Sequence, residues 1–461
     1  MKEKQNIHII GIGGIGTSAL ARWFLANNYK VSGSDICESE ITEDLKKIGV
    51  SIYVGHKTSN LNRKTILVIH SAAISGENPE IKIAKKLKID IKSYSQTIGR
   101  IIKKYPKTIA VAGAHGKSTT ASLLSVILIK AKLNPTVIIG TKLKEFGGNG
   151  GNFRNGKSDY LILEADEYHK SFLNYRPFGA IITNIDREHL DFYKNFGNIK
   201  NAFLKFISNI KTGGILILNK DDKNLRSLKE KINNPVKLKK MTIKRYSLAD
   251  AHPLLIKKIS SSLKIFGKHN ISNALAVYEM SKALGIEEKT IFAGLKEYNG
   301  AWRRMEYRGN LSLNTKYRIP VYDDYAHHPT EIKATLEAFR KEFPKNYIIC
   351  VFQPHQEKRL KLLFKEFTAA FNDADALILL DIHKVAGREL NKLSQNINSK
   401  ILAETIKKRS PLINVVYLPS PQKLPKILSD MCQSAPSSHK SALVVMMGAG
   451  NIYKYTNNLV K

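Results

Sequence analysis

The sequence predicts an α/β fold of three successive domains, and three observations support this prediction. Near the N-terminus, an apolar strand, a glycine-rich turn and a helical stretch follow one another over 7–27. The same order recurs from Thr108 onward, and the last third of the chain again alternates apolar strands with helical segments. Such alternation is typical of parallel sheets covered by helices. We place the domains at 1–104, 105–301 and 302–461, since a domain typically has about 150 residues.

The first domain is predicted to be Rossmann-like. A strand at 7–10 leads into a turn of sequence Gly-x-Gly-x-x-Gly, and further strands follow at 30–32, 51–54 and 66–70. The turn precedes a helix, whose N-terminus favours a pyrophosphate. An acid, Asp35, follows at about the interval of a ribose-binding carboxylate. An NAD-type dinucleotide and a UDP-sugar both satisfy this geometry, and a tight turn without a ligand is the remaining alternative.

The second domain is predicted to hold a P-loop ATPase-like parallel sheet. After the strand at 108–112 comes a short phosphate turn, from Gly113 to Thr120, that delivers Lys117 and Ser118 into a helix start. Lys117 is expected to meet the terminal phosphates of a nucleotide, and Ser118 to hold a divalent cation. The turn is two residues shorter than the usual Walker pattern, so a glycine-rich turn with a chance lysine is the alternative. The further strands expected in this domain are 137–139, 160–163, 180–183 and 215–218.

Acidic residues follow two strands of this second sheet. Glu164, Asp166 and Glu167 come after one strand, and Asp186, His189 and Asp191 after the next. Ligands of open α/β sheets bind at the carboxyl ends of the strands. The sequence therefore predicts a Mg²⁺ site for phosphoryl transfer near the phosphate turn. Helix caps or solvated turns are the alternative for each acid taken singly.

The third domain is predicted to alternate strands at 348–352, 376–380 and 442–447 with helices.

The composition limits the classes of protein to which this chain is expected to belong. No apolar run approaches the roughly 20 residues of a membrane span, and the N-terminal apolar stretch is too short for a signal peptide, so we expect a cytoplasmic protein without a membrane partner. The three cysteines show no CxxC spacing, and neither a disulfide framework nor a zinc site is indicated.

Net charge is +35, from 74 Lys and Arg against 39 Asp and Glu. Lysines are spread through every segment and no nucleic-acid-binding motif accompanies them, so we expect no nucleic-acid partner. A basic surface attracts phosphorylated small molecules at low salt.

These motifs together resemble the ATP-dependent Mur ligases of peptidoglycan synthesis, over almost the whole chain. Further segments that carry the resemblance begin at Gly267, Trp302, Tyr322, Phe352, Gly387 and Met447. The resemblance implies an N-terminal domain for a UDP moiety, a central ATPase domain, and a C-terminal Rossmann-like domain that carries the incoming amino acid and closes over the nucleotide. The implied reaction is an ATP-dependent ligation of L-alanine to UDP-N-acetylmuramate through an acyl phosphate, with ATP and Mg²⁺ as cofactors. A monomer or weak homodimer is expected.

The resemblance also implies roles for individual residues. The implied catalytic residues are Lys117, Glu164, His189, Arg303 and His327. The implied metal ligands are Ser118, Glu164 and His189. The implied nucleotide-binding residues are Gly113, Ala114, His115, Gly116, Lys117, Ser118, Thr119, His269, Asn270, Asn273 and Arg303. The implied substrate-binding residues are Gly11, Gly13, Gly14, Gly16, Ser34, Asp35, Ser71, His327, His328, His355 and Arg359. Asn273 has helix packing as an alternative role, and one of the paired histidines is expected to be structural.

The chain departs from the family pattern at several positions. Alanine stands at 114 and serine at 118, where threonine is common. Tyr168 follows the acidic run as in the ligase that attaches a whole tripeptide to UDP-N-acetylmuramate during recycling, which is the main alternative. Gln356 and its neighbours differ beside the presumed amino-acid site, and one methyl group discriminates by only about 1–3 kcal/mol. An NAD-dependent dehydrogenase and a nucleotide-regulated binding module are the alternatives from other classes.

Overall fold

The computed structural model describes residues 4–147, 151–312, 318–383, 397–436, 439 and 441–460. Its strands form three sheets and its helices flank them, which confirms the predicted α/β class. Two compact units are present, one made of Met1–Lys264 with Ser272–Asn299 and the other of Ile265–Ile271 with Gly300–Lys461. The first two sheets belong to the first unit and the third sheet to the second. The domain boundaries after 104 and 301 stay predictions.

The first sheet has five parallel strands in the order β3-β2-β1-β4-β5. The strands are β1 (Asn6–Ile10), β2 (Lys30–Asp35), β3 (Ser51–Val54), β4 (Thr65–His70) and β5 (Asp90–Ser93). The helices are α1 (Ile15–Ala26), α2 (Glu40–Lys47), α3 (Pro79–Lys86) and α4 (Tyr94–Ile101). The strand order reverses between β1 and β4, which is where such sheets bind ligands. The glycine turn after β1 opens at this point, as the Rossmann-like prediction requires.

The second sheet has seven strands in the order β12-β11-β10-β6-β9-β7-β8, and only the β7–β8 pair is antiparallel among the described residues. The strands are β6 (Lys107–Ala112), β7 (Thr136–Leu143), β8 (Gly151–Arg154), β9 (Tyr160–Ala165), β10 (Gly179–Ile182), β11 (Ile215–Asn219) and β12 (Thr242–Tyr246). The helices are α5 (Lys117–Lys130), α6 (Leu190–Tyr193), α7 (Phe196–Ser208), α8 (Lys223–Arg226), α9 (Lys229–Leu238), α10 (Pro253–Ser262), α11 (Lys268–Ala283) and α12 (Glu288–Glu297). Strand β6, at the centre, leads into the phosphate turn and α5.

In the described part of the chain, the third sheet has six strands in the order β13-β14-β18-β15-β16-β17, and its strand pairs are parallel except for β13–β14. The strands are β13 (Glu306–Asn310), β14 (Pro320–Asp324), β15 (Asn346–Phe352), β16 (Ala376–Leu380), β17 (Asn414–Leu418) and β18 (Ser441–Met447). The helices are α13 (Pro329–Glu342), α14 (Glu357–Leu362), α15 (Phe364–Phe367), α16 (Ser399–Arg409), α17 (Leu424–Gln433) and α18 (Tyr453–Leu459). This parallel-rich sheet agrees with the Rossmann-like prediction for the third domain.

Burial explains which strands the sequence predicts. The central strands are continuous apolar runs; Ile109, Ala110 and Val111 of β6, for example, are fully buried. The sequence did not predict six of the described strands, which are β5, β8, β12, β13, β14 and β17. Five of them lie at sheet edges, where one side faces solvent and polar residues are tolerated. The sixth, β14, lies next to an edge and carries two buried aspartates, Asp323 and Asp324. In the described part of the chain, no helix is long and apolar enough to span a bilayer.

Candidate active site

The glycine turn of the first domain is held by its own sheet. Gly11 has a φ of 75°, which favours glycine. The backbone N–H of Gly13 donates to Asp35 Oδ2 at 2.8 Å, and Ile36 N–H donates to Asp35 Oδ1 at 2.8 Å. The carbonyl of Ser34 accepts from Gly11 N–H at 2.8 Å. Asp35 therefore holds the turn in shape, so its position after the glycines is no specific sign of a nicotinamide cofactor.

Two serines predicted to bind substrate lie in different surroundings. Ser71 follows β4, and its Oγ lies 2.9 Å from where a Cβ on Gly11 would stand, so the structure brings it to the turn. Ser34 is fully buried, and its hydroxyl donates to Glu80 Oε2 at 2.6 Å. Glu80 also accepts from Asn60 Nδ2 at 2.6 Å. The Ser34 side chain thus belongs to an interior polar network beneath the turn, and a substrate contact from it stays a prediction.

The phosphate turn after β6 needs glycine at both ends. Gly113 has a φ of 139°, and a Cβ there would lie 2.0 Å from Thr183 Oγ1. Gly116 has a φ of 82°, and a Cβ there would lie 2.6 Å from Asn273 Oδ1. The two glycines let the neighbouring polar side chains approach the backbone closely. The structure therefore brings Asn273 to the turn.

The segment after β10 holds the same turn through hydrogen bonds to the backbone of His115. Asn184 Oδ1 accepts from His115 N–H at 2.9 Å, and Asn184 Nδ2 donates to His115 O at 3.0 Å. Thr183 Oγ1 also donates to His115 O, at 2.6 Å. The His115 ring lies 2.9 Å from Asp186 Oδ2. Thr183 and Asn184 carry no role in the sequence prediction, although their place directly after an apolar strand was a usable signal.

Lys117 is the cation of this turn. Its Nζ donates to Gly113 O at 2.6 Å, to Ala114 O at 3.2 Å and to Glu167 Oε2 at 3.0 Å. Burial opposes the charge, but the carboxylates of Glu167 and Asp166 outweigh it and raise the pKa of Lys117 above its usual range. The side chain is therefore an ammonium ion at neutral pH, pre-placed at a turn of backbone N–H groups. Anionic phosphate is the ligand that such a site attracts.

Oxygen atoms suited to a divalent cation lie beside the lysine. Ser118 Oγ donates to Glu164 Oε2 at 2.9 Å, and Gly140 N–H of β7 donates to Glu164 Oε1 at 2.6 Å. Glu167 Oε1 is buried without a hydrogen-bond partner and lies 3.8 Å from His189 Nε2. With Asp166, these two form a group whose ligand atoms lie within 4.8 Å of one another. The structure thus pairs Ser118 with Glu164, and His189 with Glu167.

Glu167 has no individual role in the sequence prediction, yet it joins both halves of this site. One carboxylate oxygen contacts Lys117, and the other faces His189. Its backbone carbonyl accepts from the Tyr193 hydroxyl at 2.6 Å. His189 has a φ of 56°, a left-handed conformation that a histidine rarely adopts outside a constrained site. Thr119, also predicted to bind nucleotide, is buried in the first turn of α5.

Arg303 is a buried cation of the third domain. Its side chain donates to the carbonyl of Gly448, and its guanidinium lies 4.5 Å from the ring centre of Tyr453 and 4.9 Å from that of Tyr325. Burial lowers its pKa, and its Nε is buried without a hydrogen-bond partner. Arg303 is therefore a fixed, buried charge. Its contact with nucleotide phosphate stays a prediction.

The paired histidines before α13 have separate tasks. His328 is buried and caps the helix, since its Nδ1 accepts from Thr330 N–H at 3.2 Å. His327 Nδ1 lies 3.2 Å from Glu331 Oε2 and 3.1 Å from Tyr325 O. The His327 ring centre is 5.9 Å from that of His355. His328 thus caps α13, and a substrate contact from it stays a prediction, whereas His327 lies with other residues predicted to bind the amino acid.

Arg359 and His355 lie together at the carboxyl end of β15. Arg359 Nη1 donates to His355 O at 3.1 Å, and the His355 ring stacks on His383 at 5.7 Å. Gln356, which follows His355 directly, has a φ of 69°. The structure therefore brings together the predicted amino-acid residues His327, His355 and Arg359. Gly387, Arg388 and Glu389, part of one motif, lie outside the described residues.

His269 and Asn270 lie in the first turn of α11. Asn270 Nδ2 donates to Phe266 O at 2.7 Å, so this side chain fixes the start of the helix. Burial lowers the pKa of His269 to about 4, which makes it a neutral imidazole at neutral pH. A neutral imidazole is compatible with the predicted place beside adenine.

Comparison with known proteins accounts for all three domains. The model described as "Mur ligase family, catalytic domain" matches 6–106, "Mur ligase middle domain" matches 111–280, and "Mur ligase, glutamate ligase domain" matches 303–450. The chain belongs to the Mur ligase family. As a Mur ligase, it falls in a family of ATP-dependent ligases, and the resemblance predicted from its motifs is confirmed.

Relatives span the whole of this Mur ligase. It is 39% identical over 467 residues to a UDP-N-acetylmuramate--L-alanine ligase of Clostridium botulinum, covering 98% of this chain and 97% of the relative. A ligase of the same name from Acetivibrio thermocellus is also 39% identical, with 99% and 96% covered.

Solved structures share the fold of this Mur ligase. The UDP-N-acetylmuramate-alanine ligase MurC of Thermotoga maritima matches with a TM-score of 0.76 and 24% identity, over 98% of this chain and 97% of the other. A murein peptide ligase of Psychrobacter arcticus matches with a TM-score of 0.67 and 22% identity, over 99% and 98%. At these identities the structures show the fold, and the closer relatives above carry the argument on activity.

Proposed function

We propose that this Mur ligase joins L-alanine to UDP-N-acetylmuramate in peptidoglycan precursor synthesis, with cleavage of ATP to ADP and phosphate. The observation that carries the proposal is the central phosphate turn, where Lys117 and the Ser118–Glu164 pair lie at the carboxyl edge of the second sheet. Relatives at 39% identity over the full length bear the name of this activity. ATP is a cytoplasmic metabolite, so we also propose a cytoplasmic enzyme.

The reaction has two steps. The lactyl carboxylate attacks the γ-phosphorus of ATP, the bond to the bridging oxygen breaks, and ADP leaves. The amine of the amino acid then attacks the acyl carbon, and phosphate leaves with one carboxylate oxygen while the amine loses a proton. Positioning and neutralisation of charge supply most of the catalysis in such chemistry. Lys117 is placed to neutralise the phosphates, and its raised pKa keeps it charged.

The residues present fit a magnesium ion. Mg²⁺ prefers oxygen ligands, and the Ser118 hydroxyl and Glu164 carboxylate lie 2.9 Å apart in the first turn of α5 and at the end of β9. The buried, unpartnered Oε1 of Glu167 is a second oxygen in need of a positive partner. We propose Ser118, Glu164 and His189 as ligands, directly or through water, with Glu167 beside His189. The ion supplies neutralisation of charge on the phosphates when bound.

The glycine turn of the first domain is proposed to hold the UDP diphosphate. Gly11, Gly13, Gly14 and Gly16 precede α1, whose N-terminal N–H groups favour anions. A dehydrogenase explains this turn but leaves Lys117, Ser118 and the acids without a task. The recycling ligase remains the nearest alternative because of Tyr168, whose ring centre lies 4.4 Å from that of His189. The names of the full-length relatives favour L-alanine.

The test is phosphate release by the purified protein with Mg²⁺, ATP and UDP-N-acetylmuramate. L-Alanine, glycine, L-serine and the L-Ala-γ-D-Glu-diamino acid tripeptide are compared as acceptors. We expect the strongest release with L-alanine, and release that requires all components. Preference for the tripeptide would assign the recycling reaction instead. Release independent of every amino acid would contradict the ligase proposal.

A further inference from the structure

Tyr94, the first residue of α4, forms the floor of the glycine turn. A Cβ placed on Gly16 would lie 3.2 Å from Tyr94 Cζ and 3.3 Å from its hydroxyl oxygen. Real Cβ atoms seldom come so close to another atom. A side chain at position 16 would therefore require the Tyr94 ring to move by a few tenths of an ångström. The hydroxyl lies directly beneath the start of α1.

The same helix packs against the segment that follows the acids of the central domain. A Cβ on Gly99 would lie 2.5 Å from Asn174 O, and Asn174 Nδ2 donates to Ser95 Oγ at 3.1 Å. These contacts fix α4 between the glycine turn and the acidic run. Burial, followed by the charges of Glu164 and Asp166, raises the pKa of Tyr94 above its usual range. The phenol consequently stays protonated at neutral pH and is able to donate.

Its proton has no acceptor in the described part of the chain. The Tyr193 hydroxyl, by contrast, donates to Glu167 O at 2.6 Å. A neutral donor beneath a helix N-terminus that favours anions matches the oxygen atoms of a diphosphate. We propose that the Tyr94 hydroxyl donates a hydrogen bond to the diphosphate of the UDP-sugar bound at the glycine turn. This inference rests on the proposed function.

The test measures the affinity of Tyr94→Phe for UDP and for UDP-N-acetylmuramate by calorimetry, with no ATP present. We expect both ligands to bind about tenfold more weakly, as for the loss of one hydrogen bond to a charged group. The KM for ATP should change by less than about twofold, because Lys117 and Ser118 are untouched. Phenylalanine keeps the ring against Gly16, and a thermal melt checks that the variant is folded.

Tyr105→Phe is the matched control. The Tyr105 hydroxyl lies in the same unit but bonds to Trp23 and, at 3.4 Å, to Thr136. Its removal should lower the melting temperature and leave the affinity for UDP unchanged. Unchanged affinity of Tyr94→Phe for both ligands would overturn the inference, as would a loss confined to UDP-N-acetylmuramate or one that Tyr105→Phe reproduces. A wild-type protein that binds neither ligand would instead reject the proposed function.

Discussion

Asn152 of β8 donates from its Nδ2 to the carbonyl of Ile15 at 2.6 Å, in the first turn of α1. A second hydrogen bond joins the same Nδ2 to Ser18 Oγ at 2.8 Å. The central domain thereby holds the helix that carries the glycine turn. Strand β7, paired with β8, also carries Gly140, which contacts Glu164. The β7–β8 hairpin thus contacts α1, the helix that follows the glycine turn, and also Glu164, the carboxylate beside the phosphate turn.

Replacing Asn152 with alanine should weaken both stability and substrate binding. The change removes one donor from the part-buried carbonyl of Ile15 and one hydrogen bond from Ser18, and a lost hydrogen bond typically costs about 0.5–1.5 kcal/mol. We expect a lower urea midpoint with an unchanged slope, and a KM for UDP-N-acetylmuramate raised about threefold or more because α1 is less firmly held. Asn134→Ala, whose side chain contacts Arg154 near the end of the same strand, is the control. An equal rise in KM for that variant would argue against a specific role of Asn152.

Ser118→Ala should raise the Mg²⁺ concentration needed for activity. The variant removes a hydroxyl that lies 2.9 Å from Glu164, and loss of one group in a metal site typically costs about tenfold or more in affinity. Ser118→Thr keeps the hydroxyl and should restore the Mg²⁺ dependence of the wild type. Phosphate release measured across a Mg²⁺ titration distinguishes the alanine variant from the threonine variant. If alanine and threonine behave alike, Ser118 is not a metal ligand.

Glu80→Ala should destabilise the first domain at neutral pH and much less in acid. Glu80 is fully buried, and burial opposes its charge, but hydrogen bonds from His8, Ser34 and Asn60 hold its pKa below the usual 4.5. Its stabilising contribution is therefore complete above the unfolded-state pKa and is lost as pH falls through the folded-state pKa. We expect a loss of about 2–4 kcal/mol at pH 7 in urea unfolding. A loss that is equally large at pH 3 would contradict this account.

The contribution of Asp323 of β14 to stability should change with pH in the opposite direction to that of Glu80. Burial raises its pKa to about 6, despite a hydrogen bond from Thr456 Oγ1 at 2.5 Å. The folded protein then binds more protons than the unfolded chain between the ordinary pKa of 3.8 and about 6, so this group's contribution to stability falls as pH rises through that window. Asp323→Asn should remove the fall. Parallel stability profiles of the two proteins between pH 4 and 7 would contradict the raised pKa.

The sequence predicted those parts of the fold and site that depend on local pattern. The two glycine turns, Lys117 and the acids after β9 stand in short motifs, and the central strands are apolar runs. Contacts between distant segments could not be predicted in this way. Asn273 reaches Gly116 across more than 150 residues of chain, and Arg303 is buried by Tyr325 and Tyr453. Only the folded chain brings such groups together.

Edge strands were missed for a related reason. Three of them, β5, β12 and β13, carry two charged residues each, as strands with one side towards solvent tolerate. The contacts of the Asp35 side chain also could not be predicted from its place in the sequence. Its place after the glycines predicts a ribose contact, which stays a prediction, and its carboxylate also accepts a hydrogen bond from the turn's own Gly13.

The central claim, ligation through an acyl phosphate, is tested most directly by isotope transfer. UDP-N-acetylmuramate labelled with ¹⁸O in both carboxylate oxygens is incubated with the protein, ATP, Mg²⁺ and L-alanine, and the released phosphate is analysed by mass spectrometry. The account predicts one ¹⁸O atom in each phosphate released, together with an amide product that retains the other. Unlabelled phosphate without an amide product would contradict it.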